Sequence, residues 1–254
     1  MAIRIPRALA AAIDEDDLAE RRAWLTALPH VVEEVAGEWG LTLGEPYSPG
    51  GQCAWVAPAG EEFVLKVGWR HPEAEHEADA LLFWHGDGAV RCYRAMSLHD
   101  TSVLLLERCV PGVQLKTVPE LEQDEIVAAL ARRFHRLLPG PGHPFRSLAE
   151  ICDDWAGALE REKNGNLEEG LRREAVALFR ELPRTARSEA LLCTDLHAGN
   201  VLASTREPWL VVDPKPFVGD PAFDAVQHML NCDERLAADP IGLAARMASL
   251  LGVD

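Results

Sequence analysis

The chain has 254 residues, 48% of them hydrophobic, and carries 25 basic against 41 acidic side chains for a formal net charge of −16. That length and apolar content suit one large domain or two lobes sharing a cleft and exclude a disordered or fibrous chain, while the acidic excess argues against nucleic acid or an anionic membrane as partner and fits solubility or a cationic ligand. The six cysteines (Cys53, Cys92, Cys109, Cys152, Cys193, Cys232) form no C-x-x-C pair, the N-terminus lacks a signal-peptide core, and no run approaches the ~18 apolar residues of a membrane span, so a cytoplasmic protein with free thiols is expected.

Residues 22–39 follow a helical pattern, broken by the Gly- and Pro-dense "GEPYSPGG". "CAWVAPAGEEFVLKV" places two short apolar runs around Pro58, Ala59 and Gly60, the pattern of an antiparallel hairpin. After Pro72, Glu73, Glu77, Leu81 and Trp84 recur at helical spacing, and "SVLLLERCVPG" predicts a buried strand at 103–106 that ends by Pro111 and Gly112. The second half reads as mainly helical. "DEIVAALARRFHRLL" is amphipathic and stops at Pro139 and Gly140; "SLAEICDDWAGALE" opens with Ser147 and Glu150 in capping-box spacing; a third helix has Asn166 as its expected N-cap and ends at Pro183. Short strands interrupt this half at 191–213. The expectation is an α+β chain with a strand-rich lobe at 1–108 and a helical lobe at 109–254.

The segment "LLCTDLHAGN" allows three chemistries. Cys193, Asp195 and His197 could ligate zinc, but a structural site needs a second ligand pair at suitable spacing. Cys193 could be a nucleophile, but it follows an apolar strand beside Asp195 and reads better as a small buried hydrophobe. Asp195 and Asn200 have the D-x-x-x-x-N spacing of a kinase catalytic loop, in which the Asp orients or deprotonates a hydroxyl and the Asn holds magnesium. The chain beyond Asn200 strengthens the third reading: strands at 201–203 and 209–212 would return Asp213 to Asn200, and both offer oxygen to Mg2+, although Asp213-Pro214 alone could be a strand-ending turn. Upstream, Lys66 interrupts the apolar "FVLKV" and needs an anionic partner if buried. Glu77 is the expected partner, with Glu73 as the alternative.

These residues resemble the aminoglycoside phosphotransferases, in particular the streptomycin 6-kinase and hydroxyurea-resistance kinase branch. "CTDLHAGNVL" is similar to the H-G-D-L-H-x-x-N loop of that superfamily, and "WLVVDPKPFVGDPAFD" to the branch's D-P-K-P-x-x-G-D-P-x-x-D signature. The resemblance implies a protein-kinase-like fold of two lobes with ATP between them and Mg2+ as its companion. Asp195 would be the catalytic base, with His197 near the transferred phosphate, and Asn200 and Asp213 would bind Mg2+. Lys66, Glu77 and the turn containing Gly50 and Gly51 would serve the phosphates, with adenine along the segment from Leu106 through Glu107 to Cys109. Asp220 and Asp224 would brace the loop. The acceptor implied is an aminoglycoside, foremost streptomycin, with Asp153, Asp154, Asp233 and Glu234 as candidate acids for its cationic groups; hydroxyurea or another small hydroxyl compound is the alternative acceptor, and a nucleotide-binding pseudoenzyme the alternative to catalysis. Three departures stand out: Cys193-Thr194 replaces His-Gly, the phosphate turn has only two glycines, and the sequence reaches Asp254 where the resembling kinases commonly continue into further helix.

Overall fold

The computed structural model describes residues 3–15, 18–162 and 167–253, and the chain divides into two compact units, Met1–Gly112 and Val113–Asp254. In the first, helices α1 (Arg7–Glu15) and α2 (Ala19–Trp39) precede strands β1 (Ala54–Ala59) and β2 (Phe63–Trp69), then helix α3 (Glu77–Trp84) and strands β3 (Cys92–Leu98) and β4 (Thr101–Glu107). The strands form one antiparallel sheet in the order β1-β2-β4-β3.

Helix α2 starts slightly before the expected residue 22 and runs through Pro29. Its buried stripe of Arg21, Trp24, Leu28, Val32 and Val35 repeats at three- and four-residue intervals, the spacing that keeps one helical face apolar. Its apolar members Trp24, Leu28, Val32 and Val35 pack with Leu65, Val67, Val103 and Leu105 from the sheet. Because strand side chains alternate, Lys66 between Leu65 and Val67 points to the opposite face. The β1–β2 hairpin turns at Gly60, whose φ is +75°, and Pro58 is tolerated because β1 is an edge strand. The other edge, β3, lies mostly exposed, so its sequence shows no apolar run. The helix expected from Glu73 starts only at Glu77: after Pro72 the chain turns, with the Ala74 amide donating to the His71 carbonyl and the Glu77 amide to that of Ala74. Glu73 is left outside the helical face.

Strand β5 (Pro111–Gln114) runs across the division, and the second unit continues with helices α4 (Glu120–Phe134), α5 (Leu148–Arg161) and α6 (Glu169–Glu181), strands β6 (Ala190–Leu192), β7 (Val201–Ser204), β8 (Trp209–Val211) and β9 (Phe217–Gly219), and helices α7 (Val226–Leu230), α8 (Asp233–Ala238) and α9 (Pro240–Leu251). Ser147 and Glu150 cap α5 reciprocally, at 3.2 and 2.9 Å. Asn166 lies outside the described residues; the α6 cap is supplied by the Glu168 carboxylate, which accepts from the Gly170 and Leu171 amides. Leu148, Ile151 and Cys152 of α5 pack on Ala190, Leu192 and Phe217 of the β6–β9 pair, seating the strand that leads into residue 193.

Fully buried Asp124 ties α4 to the C-terminal helices. Its carboxylate accepts from the two terminal guanidinium nitrogens of Arg235 at 3.0 and 2.8 Å and from Arg246 Nε at 2.6 Å, and faces His228 Nε2 at 2.9 Å. Cys232 lies close to this group, but two guanidiniums already satisfy the carboxylate and burial raises the Cys232 thiol above its usual range, so the cluster is an ion-pair lock and not a metal centre. Burial alone would raise the Asp124 pKa; the hydrogen bonds from Arg235, Arg246 and His228 outweigh it and hold the carboxyl below the usual carboxylate range. The stabilisation is therefore complete above about pH 4, where an unfolded-chain Asp is ionised, and is lost as pH falls through the lower native value. Asp124→Asn is expected to destabilise the chain at neutral pH by on the order of 3 kcal/mol, since it strands two guanidiniums, and to flatten the acid limb of a urea-denaturation series. An unchanged acid limb would contradict this account.

Candidate active site

In the first unit, Lys66 Nζ meets both carboxylate oxygens of Glu77 at 2.6 Å. Both residues are buried, at 9% and 3% exposure, so neither charge is tolerable without the other. Glu77, the first residue of α3, is thus a partner of Lys66 as expected, and Glu73 stands before that helix in the turns after Pro72. The turn at 48–53 needs glycine at one of its two positions: Gly50 has φ +89° and a Cβ there would lie 2.5 Å from Pro6 Cβ, while a Cβ on Gly51 would meet nothing nearer than 3.6 Å. The N-terminal segment packs under this turn, with the Ala8 amide donating to the Pro49 carbonyl at 3.1 Å. Arg21, not singled out by the sequence and lying before the helix expected at 22–39, donates to the Gln52 carbonyl at 2.7 Å and lies over the Trp69 ring. Glu107 ends β4 with its carboxylate accepting the Arg91 amide, and half-buried Cys109 follows it.

In the second unit, the chain leaves β6 at Cys193 and reverses through Thr194, whose φ is +46°, so the two amides cannot continue the strand ladder. Asp224, itself 0% exposed, accepts both, from Cys193 at 3.2 Å and Thr194 at 2.7 Å, and is flanked by His135 Nε2 at 2.8 Å. Asp220 caps the short 3-10 turn carrying Asp224, accepting the Ala222 amide at 2.9 Å. Thr194 also donates its hydroxyl to the Lys215 carbonyl, and the Lys215 amide donates to the Cys193 carbonyl at 2.9 Å. The segments 193–200 and 213–220 are thus sewn together.

That stitching places Asp195, Asn200 and Asp213 side by side. Asn200 Nδ2 donates to the Asp195 carbonyl at 3.0 Å and to its Oδ2 at 3.2 Å. The β7–β8 hairpin pairs Val201 with Val211, and the Val212 amide donates to the Asn200 carbonyl at 2.9 Å, which returns Asp213 to the loop. Asp213 adopts φ +56°. Lys215 Nζ is 2.8 Å from Asp213 Oδ1 and 3.8 Å from Asp195 Oδ2. Burial, with the added charge of Asp213, raises the Asp195 pKa against the lowering influence of Lys215, His197 and Asn200. Burial lowers that of His197; its Nδ1 accepts the Gly199 amide at 3.1 Å, so the neutral ring carries its proton on Nε2, 3.9 Å from Asp195 Oδ1. The Cys193 thiol is pushed well above the thiol range by burial and then by Asp224 and Asp195, which removes both the nucleophile and the thiolate-ligand readings. Lys215 was given no role by the sequence, in which it appears only as a lysine between two prolines.

The four acids expected to meet a cationic acceptor are placed differently. Asp153 is clasped by Arg184 at 3.2 and 2.6 Å and Asp154 by Arg146 at 2.7 Å, so each already has a guanidinium. Asp233 and Glu234 are exposed in the first turn of α8.

Residues 50–252 match the family model described as aminoglycoside/hydroxyurea antibiotic resistance kinase. The chain is 34% identical to a streptomycin 6-kinase of Streptomyces glaucescens over 87% of its own length and 73% of that protein's. It is 35% identical to a hydroxyurea phosphotransferase of Kitasatospora aureofaciens, over 84% of the chain and 64% of that protein. Among solved structures it resembles the aminoglycoside phosphotransferase APH(3'')-Id of Streptomyces rimosus in complex with ADP and streptomycin, with a TM-score of 0.61 and 18% identity over 91% and 92% of the two chains. That last likeness shows the protein-kinase-like fold.

The bracing by Asp224 can be tested without any ligand. Asp224→Asn keeps the shape but turns an NH2 group towards one of the two amides that the carboxylate now satisfies, which is expected to destabilise the chain by roughly 1–3 kcal/mol. Hydrogen exchange at Cys193 and Thr194 should quicken accordingly, measured by NMR; unchanged protection of both amides would remove Asp224 from this role.

Proposed function

The chain belongs to the aminoglycoside/hydroxyurea antibiotic resistance kinases, and from that membership we propose that it transfers the γ-phosphoryl group of ATP to a hydroxyl of an aminoglycoside, with streptomycin the first candidate. The observation that carries the reading is the grouping of Asp195, Asn200 and Asp213 on two segments held in register by hydrogen bonds. In the first unit, Lys66 would contact the phosphates, oriented by Glu77, with the turn at Gly50 and Gly51 and the segment of Glu107 and Cys109 also serving the nucleotide. The second unit, from residue 113, would hold the acceptor. A net charge of −16 supports a polycationic acceptor, and the use of ATP supports a cytoplasmic site of action.

Phosphoryl transfer depends mainly on positioning and on neutralising charge spread over the phosphoryl oxygens. Asp195 would accept the proton of the attacking hydroxyl and hold its oxygen in line; the Asn200 amide group, at 3.2 Å from Asp195 Oδ2, fixes the carboxylate rotamer. The amide and carboxylate oxygens of Asn200 and Asp213 are hard donors of the kind Mg2+ takes, so the residues fit the ion. When bound, Mg2+ supplies charge neutralisation at the phosphates. His197, neutral with its proton on Nε2, is suited to donate a hydrogen bond without adding charge.

The hydroxyurea phosphotransferase relative supports a second acceptor class, small and uncharged. The two separate by salt dependence: binding of a polycation weakens as ionic strength rises, and that of a neutral acceptor does not. ATP consumption against a panel of aminoglycosides and small hydroxyl compounds, with the phosphorylated position located by NMR, tests the proposal. Turnover with an aminoglycoside is expected, and Asp195→Ala should reduce kcat by about 10²- to 10⁴-fold, the range for losing a general base. Full activity in Asp195→Ala would sink the assignment.

A further inference from the structure

The segments 193–200 and 213–220 contain two basic side chains, His197 and Lys215. His197 is neutral, for the reasons given above, which leaves Lys215 as the cation of this group. Its side chain is only 16% exposed and its ammonium lies 2.8 Å from Asp213 and 3.8 Å from Asp195. The backbone beneath it is fixed from several directions. Pro214 and Pro216 lock φ on both sides, and Pro216 biases Lys215 itself to an extended conformation. The Lys215 amide donates to the Cys193 carbonyl, and its carbonyl accepts the Thr194 hydroxyl. Thr194 holds a left-handed φ of +46°, which for a β-branched residue is strained by about 1–2 kcal/mol; the family loop that this segment resembles has glycine there. The hydroxyl that glycine lacks is the group that reaches Lys215.

We propose that Lys215 is a catalytic cation for phosphoryl transfer, moving from Asp213 to the oxygens of the phosphoryl group in flight, and that Thr194 is its positioning residue. The inference rests on the function proposed above. An acceptor oxygen hydrogen-bonded to Asp195 stands about 3 Å from that carboxylate, and the phosphorus it attacks about 3–3.5 Å further on. An ammonium 3.8 Å from the same carboxylate, on a flexible four-carbon stem, therefore reaches the phosphoryl oxygens without moving its backbone. In the step, the acceptor hydroxyl gives its proton to Asp195 and its electron pair forms the new O–P bond. The bond from Pγ to the β-phosphate oxygen breaks, and that pair leaves on ADP. Lys215 remains protonated throughout and donates hydrogen bonds to the oxygens on which charge is spread. Before nucleotide arrives, the same ammonium sits between two carboxylates that would otherwise repel each other.

The test compares wild type with Lys215→Met, Lys215→Gln, Lys215→Arg, Thr194→Val and Thr194→Ser. Steady-state kinetics are run with ATP and the best acceptor, ATP binding is measured separately by calorimetry, and thermal melts verify folding. Lys215→Met and Lys215→Gln are expected to lose about 10²- to 10³-fold in kcat, the scale for removing one preorganised donor, with the Kd for ATP and the KM for acceptor held within about threefold. Arg should retain part of the rate. Thr194→Val should lose about tenfold in kcat, and Thr194→Ser should recover it. A kcat within about threefold of wild type in a folded Lys215→Met or Lys215→Gln protein overturns the proposal, as does a loss that appears wholly in ATP affinity. If no acceptor in the panel is phosphorylated, slow ATP hydrolysis by water is followed in the same variants: a matching loss there supports Lys215 while the acceptor class alone fails. A wild-type chain that binds ATP but moves its phosphate neither to acceptor nor to water overturns both readings.

Discussion

Two backbone amides, at Cys193 and Thr194, leave the β6 ladder where the chain reverses, and a single buried carboxylate takes both. Unpaired, each amide would carry the full penalty of a buried donor, and Asp224 without donors would be a buried anion. The two problems solve each other, with His135 completing the acceptor's surroundings. Everything chemical in the second unit is referenced to this point. Asp195 follows the braced reversal directly, Asn200 is hydrogen-bonded back to Asp195, the hairpin that begins at Val201 delivers Asp213, and Lys215 is tied again to residues 193 and 194. The geometry is a closed circuit of short-range bonds.

The same rule governs the other buried carboxylates described. Glu77 is matched by Lys66 and Asp124 by Arg235, Arg246 and His228. In a chain with a formal charge of −16, acids outnumber bases, so those that enter the interior must recruit their partners from specific neighbours while the remainder stay in water. Asp195 and Asp213 stand between these cases. They are partly exposed, at 25% and 41% of their side-chain surface, and close enough that the charge of one raises the pKa of the other. Between them lies the Lys215 ammonium, 2.8 Å from Asp213 and 3.8 Å from Asp195.

Legibility in the sequence tracked the physics of each element. The β1–β2 hairpin was readable because two apolar runs flank a glycine that can adopt positive φ, and α5 because its capping box is local. Strand β3 was not: as an exposed edge it carries Tyr93, Arg94 and Ser97, and nothing in its own residues requires a sheet. Whether Glu73 or Glu77 reached Lys66 depended on turns after Pro72 that periodicity does not register. Asp124 looks like an ordinary acid on the polar side of an amphipathic helix until α8 and α9 supply guanidiniums from more than a hundred residues away. Asp195, Asn200 and Asp213 were legible through spacing, since a four-residue gap and a short hairpin leave few ways to separate them. Lys215 was not, because a lysine in a proline-rich loop has the same appearance whether it is solvated or clamped.

Cys193-Thr194 stands before Asp195 where the resembling loop has His-Gly, and the threonine takes a conformation that glycine adopts more readily. Glycine enters the left-handed region without steric penalty, whereas threonine does so only if its surroundings hold it there. Here Asp224 holds the Thr194 amide and Lys215 receives its hydroxyl, so strain at one residue is offset by bonds that a glycine could make only in part. Cys193, placed where histidine stands in the resembling loop, is fully buried and contributes its backbone, donating to Asp224 and accepting from Lys215. An imidazole meets Asp224 from His135, the residue that ends α4 as its C-cap. The Cys193 carbonyl and the Thr194 hydroxyl both tie the loop to the backbone of Lys215, so the reversal that Asp224 braces also fixes the lysine that follows Asp213.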